Sequence, residues 1–459
     1  MTFADLSIPD AGARLRDGSL SSVDLTQDHL DRITEREPHY QAFVTVTSER
    51  ALEDAARADR ELAEGLDRGA LHGIPIALKD LIDTAGIRTT SGSRRFADHV
   101  PAEDADVVRR LNNAGAVLIG KTMTYEFALV GPSFDLMFPV SRNPWNVDHI
   151  TGGSSSGSAA AVAGGLVRTA IGTDTGGSIR SPSSYCGVVG LKPTYERVSR
   201  QGVFPLSPSL DHVGPISASV EEAALTLDAI SDADAASRLH DGIEGKRLAY
   251  ARNWFATDPE THPAVLAAMD DAVSALTLLG AVVEEVQLPK YALFEATGAV
   301  VLQAEALAIH RAALRDQPQD YGRLAFQNLL TGLALTDDDV ALARRAAAEL
   351  ARQFNADIFA RFDALVTVNT LSPALPFSAF DGVTSVWTHM RTFPFNVTGN
   401  PVLALPIGFH QGLPLGMQIV GRHGDEAGIC TIGQAFEMGT DHATQRPSFP
   451  DITTSGTAQ

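Results

Sequence analysis

Apolar residues recur at helical spacing near the N-terminus: Leu6, Ile8, Ala11 and Leu15, then Leu20, Val23, Leu25, Leu30 and Ile33. That periodicity predicts consecutive helices, each packed through one face, with Ser21 or Ser22 placed to cap the second. Ala51 to Glu64 continues the pattern as an alanine-rich charged helix ended by Gly65 and Gly69, so residues 1–65 read as a helical arm. The period then changes. Leu71 to Asp83 is apolar and strand-like with Lys79 inside it, Asp106 to Ala114 is helical, and Ala116 to Gly120 is a strand, with Gly115 as the C-cap between the last two. Thr122 to Leu129 predicts a helix or loop, Ala159 to Ala163 a short helix, and Leu166 to Ile171 a strand.

Downstream, Val220 to Ile230 predicts an amphipathic helix, Leu248 to Arg252 a strand, Pro263 to Leu279 a long helix and Ala281 to Val286 a strand. Tyr291 to Phe362 is mostly helical. Leu365 to Val368, Val402 to Gly408 and Leu415 to Gly421 read as buried strands, and Ala427 to Met438 as a closing helix. Residues 440–459, rich in Ser, Thr, Pro and Gly, predict a loosely held tail. Strands mixed with helices, without repeat or linker, point to an α/β layer structure.

Composition narrows the function. A chain of 459 residues, 44% of them hydrophobic, can bury a large core, and its length alone permits two or three domains. A formal net charge of −20 argues against a nucleic-acid partner or an anionic membrane, either of which needs a basic face. The N-terminus carries no basic segment followed by an apolar one, and no uninterrupted apolar run approaches membrane-spanning length, which predicts a soluble cytoplasmic protein. The two cysteines, Cys186 and Cys430, suit a reducing compartment as small buried side chains, and a disulfide between them would be one weak staple in so large a chain. Without HExxH or clustered His and Cys, no metal is expected, and no other cofactor.

Within residues 71–215, read as the catalytic core, one stretch concentrates reactive side chains. Gly152-Gly153-Ser154-Ser155-Ser156-Gly157 and Thr175-Gly176-Gly177-Ser178 bracket a predicted helix and strand. Glycine ahead of serine lets backbone N–H groups approach a ligand with no Cβ between them. Those are the parts of a serine nucleophile with an oxyanion hole. A flexible linker has similar composition, but a linker would not run on into Ile179-Arg180 and the apolar Val188-Val189-Gly190-Leu191. Lys79 is one of only five lysines. On a buried strand it loses hydration, which lowers its pKa and makes a general base available near neutral pH. An ion pair with Asp80 or another carboxylate would account for it equally well.

Other motifs compete less well. Gly153-Ser154-Ser155-Ser156-Gly157 fits the G-x-S-x-G nucleophile elbow, yet it follows the polar Arg142-Asn-Pro-Trp-Asn-Val-Asp-His instead of a buried strand. His212 has no triad setting around it and reads as structural. No S-x-x-K precedes a lysine, and there is no Walker-type loop.

Lys79 in Gly-Ile-Pro-Ile-Ala-Leu-Lys-Asp, Ser154 in Gly-Gly-Ser-Ser-Ser-Gly-Ser-Ala-Ala and Ser178 in Gly-Thr-Asp-Thr-Gly-Gly-Ser-Ile-Arg together resemble the motifs of the amidase signature family. Tyr185-Cys-Gly-Val-Val-Gly-Leu-Lys-Pro-Thr and Gly399-Asn-Pro-Val-Leu-Ala-Leu-Pro-Ile-Gly resemble it as well, so the likeness covers nearly the whole chain. It implies one α/β domain over residues 1–459, a mixed central β-sheet surrounded by α-helices, and a Ser–cis-Ser–Lys triad that hydrolyses linear amides. By that resemblance Ser178 attacks the carbonyl, Ser154, joined to Gly153 by a cis peptide, relays the proton, and Lys79 is the base. The backbone N–H groups of Thr175, Gly176, Gly177 and Ser178 would hold the oxyanion, with Asp174 and Arg180 as orienting residues.

The glutaminase subunit of a tRNA amidotransferase shares the same central stretch. The resemblance gives such subunits an acidic residue shortly before Asn-x-x-Gly-x-Pro, to hold the glutamine ammonium. This chain has His389 there, within Ser385-Val-Trp-Thr-His-Met-Arg, which leaves an ammonium without a carboxylate at that position. Trp387, Phe393 and Phe395, with Tyr125, Phe127 and Phe134, predict instead an apolar, aromatic pocket, although each serves equally well as a core residue. The expected substrate is a small apolar or aryl amide, with N-aryl carbamates as an extension, and the expected partners are that small molecule and a second copy in a homodimer. A non-catalytic binding protein on the same scaffold would show loss of Ser178, Ser154 or Lys79, and all three are present.

Overall fold

Strands of the described residues are, in chain order, β1 (Phe43–Val46), β2 (Pro75–Lys79), β3 (Val117–Thr122), β4 (Arg142–Asn143), β5 (Asn146–Ile150), β6 (Thr169–Asp174), β7 (Val189–Lys192), β8 (His212–Ser217), β9 (Arg247–Tyr250), β10 (Val282–Glu285), β11 (Ala364–Val368), β12 (Val402–His410) and β13 (Leu413–Gly421). The structure, a computed structural model, describes residues 2–449. Eleven strands form one sheet in the order β1-β3-β2-β6-β8-β7-β12-β13-β11-β9-β10, while β4 and β5 make a separate hairpin. The sheet is mixed: β2 runs parallel to β3 and β6, and β9 parallel to β10 and β11, with antiparallel pairs between.

Strands β2, β3, β6, β7, β8, β11 and β13 are buried from end to end. A strand covered on both faces reads as a continuous apolar run, which is why these were visible in the sequence without alternation. Successive residues of β2 point to opposite faces: Ile76 and Leu78 join the core under helices Val220–Ile230, Pro263–Leu278 and Glu426–Gly439, whereas Ala77 packs with Leu30, Ile33 and Val162 on the other side. Domain architecture is therefore α/β with a central mixed sheet wrapped by helices.

Several elements depart from expectation. The helical arm is interrupted by β1, which pairs antiparallel with β3 at the sheet edge; four residues are too few for a period to register. The strand expected at Leu166 to Ile171 begins at Thr169 and reaches Asp174, because Leu166 and Val167 are buried in the turn that follows helix Ser156–Ala163. Thr122 to Leu129 contains only the 3-10 turn Glu126–Ala128. The helix Tyr291–Asp316 spans 26 residues at mean hydropathy 1.5, long and apolar enough by length and composition to cross a membrane. Its Phe294, Val301, Leu302 and Leu307 are buried, and helix Asp337–Phe359 packs beside it, as expected of a core helix. In the predicted tail, Phe449 packs edge-on against Tyr40 at 6.1 Å; residues 450–459 lie outside those described. Cys186 and Cys430 are both buried and free.

Candidate active site

Lys79 closes β2, and its side chain is fully buried. Nζ lies 2.8 Å from Ser154 Oγ and 2.7 Å from Thr173 Oγ1. Burial brings the amine down from the ordinary lysine range to about 7, against the upward pull of the Asp174 and Asp211 carboxylates. The Asp80 partner considered from sequence is taken instead by Lys121, whose Nζ lies 3.5 Å from Asp80 Oδ1.

Ser154 follows a cis Gly153–Ser154 peptide. Tyr125 covers Gly153 so closely that a Cβ there would sit 2.4 Å from the ring, and the Tyr125 N–H donates to Ser154 O at 3.1 Å. Ser155, the residue an elbow would expose, is fully buried, and its hydroxyl donates to Thr173 O at 3.1 Å. The Ser155 N–H donates to Ser178 O at 3.2 Å, which holds the two glycine–serine segments side by side. Ser178 itself is partly exposed on a cavity wall. Its hydroxyl makes no hydrogen bond to Ser154 among the described residues, so rotation about χ1 must close that contact before a proton can pass.

The turn from Thr175 to Ser178 is pinned from below by Asp174. Its carboxylate accepts from Gly177 N at 2.9 Å and Ile179 N at 3.0 Å. One expected oxyanion donor is thereby corrected: the Gly177 N–H is already committed to a carboxylate and cannot also point at substrate. The N–H groups of Thr175, Gly176 and Ser178 have no intramolecular acceptor among the described residues. Burial raises the Asp174 carboxyl, but the Arg180 charge and its hydrogen bonds outweigh that and hold it below the ordinary carboxylate range. Arg180 grips Asp174 through Nη2 at 2.8 Å and Nε at 3.0 Å, and spends its remaining N–H groups on Thr392 O, Gln418 Oε1 and Asn396 Oδ1.

A cavity of about 910 Å³ opens over this turn, with Ser154 and Ser178 on its wall. Tyr125, Trp254, Tyr291, Trp387, Met390 and Phe393 supply most of its apolar surface. Three of the four predicted pocket residues are thus assembled here. Phe134 is not among the lining residues: it is half exposed and lies 6.1 Å from the Phe377 ring, in a separate surface depression. Phe127 and Phe395 are fully buried core residues. His212 is also buried, its Nδ1 donating to Leu210 O at 2.7 Å. The cavity also holds carboxylates that sequence position did not reveal: Asp258, Glu260 and Glu295, with Glu260 3.2 Å from His389.

A profile of the amidase family matches residues 24–430. The chain belongs to that family. The amidase is 38% identical to a glutamyl-tRNA(Gln) amidotransferase subunit of Moorella thermoacetica, over 94% of this chain and 96% of that one. The solved peptide amidase of Stenotrophomonas maltophilia superposes with a TM-score of 0.84 at 32% identity, covering 98% of this chain and 99% of that one. A bacterial aryl acylamidase superposes at 0.86 with 24% identity, over 96% and 99% of the two chains, which speaks for the fold alone.

Sequence reasoning missed the residues of the amidase that brace the turn from a distance. Asn396 donates to both the carbonyl and the carboxylate of Asp174, and Thr392 donates to Gly176 O. Neither has a local signal, since each works only through a contact more than 200 residues away in the chain. Asp174→Asn should leave the Arg180 guanidinium buried without its counter-charge, destabilising the fold by about 3–5 kcal/mol. A denaturant midpoint measures that loss. The turn also loses an anchor of Gly177, so kcat should fall while KM changes little.

Proposed function

We propose that this amidase hydrolyses linear carboxamides of bulky apolar or aryl character, and N-aryl carbamates by the same route, through an acyl-enzyme on Ser178. Ser178 Oγ attacks the carbonyl while its proton passes through Ser154 to neutral Lys79. Thr175, Gly176 and Ser178 N–H groups receive the oxyanion. The Lys79 ammonium then protonates the departing amine as the C–N bond breaks, and water, activated by the same lysine, releases the acid. The observation that carries this reading is a buried amine brought to about 7 and hydrogen-bonded to Ser154 at 2.8 Å, beneath an apolar-walled cavity of about 910 Å³. That volume is at the upper end for sites that enclose drug-sized ligands.

A second reading is favoured by the relatives: the glutamine-hydrolysing subunit of a tRNA amidotransferase. Glutamyl-tRNA(Gln) amidotransferase sequences from Moorella thermoacetica and Geobacillus kaustophilus are 38% and 36% identical over nearly the full chain. The expectation that a substrate ammonium would find no carboxylate is also overturned, because the fold brings Asp258, Glu260 and Glu295 to the cavity from other segments. Assays on acyl 4-nitroanilides and on L-glutamine separate the two. The hydrolase reading expects kcat/KM for the anilide to exceed that for glutamine by about 10-fold or more. Ammonia release from glutamine with silent anilides favours the amidotransferase reading.

A further inference from the structure

The Lys79 amine has a partner that the acyl-transfer cycle leaves unused. A neutral amine has two N–H bonds and one lone pair, so with the lone pair turned to Ser154 an N–H remains for Thr173 Oγ1, 2.7 Å away. Thr173 lies on the wall of a second cavity, of about 720 Å³, which shares Ala128, Thr175 and Leu206 with the substrate cavity. Asp211 and His212 line it as well. His212 Nδ1 donates to Leu210 O, which leaves Nε2 as an acceptor, and Nε2 has no partner among the described residues. A buried acceptor without a protein donor, on the wall of a polar cavity this large, is satisfied by water.

We propose that the Thr173 hydroxyl is a proton exit for Lys79, joining its amine to water in the second cavity, used when the leaving group departs as an anion. The inference rests on the acyl-enzyme reading above. With an amide, the Ser178 proton reaches Lys79 and then the leaving nitrogen as the C–N bond breaks, so the lysine is neutral again for the deacylating water. With an aryl ester, the C–O bond breaks and the phenolate leaves with its electron pair and no proton. Lys79 is then an ammonium and cannot act as base until it discharges. Thr173 passes its hydroxyl proton to cavity water, takes one from the ammonium, and the solvent buffer removes the proton from the water chain. The acyl group on Ser178 meanwhile covers the Ser154 side. Thr173 acts through Lys79 and touches none of the reacting atoms.

The test compares 4-nitrophenyl butyrate with 4-nitrobutyranilide, which form the same butyryl-enzyme, on wild type, Thr173→Val and Thr173→Ser. In the valine variant, ester kcat should fall at least about 10-fold further than anilide kcat, after a nitrophenolate burst near one per protein, and the serine variant should restore ester turnover. Thr173→Ala, which removes the hydroxyl with less steric demand, reads the same ratio if the valine variant does not fold. Equal losses on both substrates, or none, overturn the exit and send the proton out through Ser154. Labelling by a fluorophosphonate is run alongside: wild type without an adduct on Ser178 sinks the acyl-enzyme reading, whereas an adduct with an unchanged ester-to-anilide ratio sinks only the exit.

Discussion

Ser178→Ala is expected to lower kcat on any amide substrate by on the order of 10⁵-fold, with a melting temperature close to that of the wild type. The size of the loss follows from the step removed: without Oγ there is no acyl-enzyme, and what remains is water attack assisted by the oxyanion donors and by binding. The neutral effect on folding follows from position. Ser178 is partly exposed on the cavity wall and makes no side-chain hydrogen bond among the described residues, so alanine leaves neither a void nor an orphaned partner. Peptide mapping after fluorophosphonate treatment is the companion measurement. An adduct on Ser155, or wild-type turnover by the alanine variant, would displace the proposed nucleophile.

Lys79 carries the second large effect, and its sign can be worked out in pH. A base must be neutral to accept the serine proton, and burial sets the Lys79 amine near 7. The kcat/KM profile should therefore rise with pH through about 7 and level above it. Lys79→Arg keeps the charge but cannot lose its proton, so it should be inactive across the whole range. Lys79→Met should lose on the order of 10³-fold in kcat and yet melt at a higher temperature. Between about 7 and the ordinary lysine value of 10.5, the unfolded chain binds a proton that the folded chain does not. Stability of the wild type therefore rises with pH across that window, and the advantage of methionine is greatest at its acid end. A variant that melts at the same difference from wild type at every pH would show that Lys79 is not held neutral by burial.

The two serines and the lysine were legible because each sits in a local motif whose glycines or apolar neighbours serve one short-range purpose. The buried strands were legible for a similar reason: β2, β3, β6, β11 and β13 are covered on both faces and must be apolar throughout. Edge strand β1 has no such requirement and was hidden in the helical arm. Pocket residues were harder. Tyr125, Trp387 and Phe393 line the cavity while Phe134, no different in kind, faces a surface depression, because an aromatic side chain in a loop carries no mark of the direction it will take.

Read alone, the sequence determined the α/β class, the three reactive side chains and the glycines that let backbone N–H groups approach a ligand, since all of these depend on spacing within a few residues. Only the tertiary structure decided which donors are free. Asp174 claims the Gly177 N–H, leaving those of Thr175, Gly176 and Ser178. It alone also decided that Asp258, Glu260 and Glu295 face one cavity and that Thr173 stands between Lys79 and a second one. Hydrogen-bond donors and carboxylates are assigned their partners by packing between distant segments, and no periodicity along the chain encodes that.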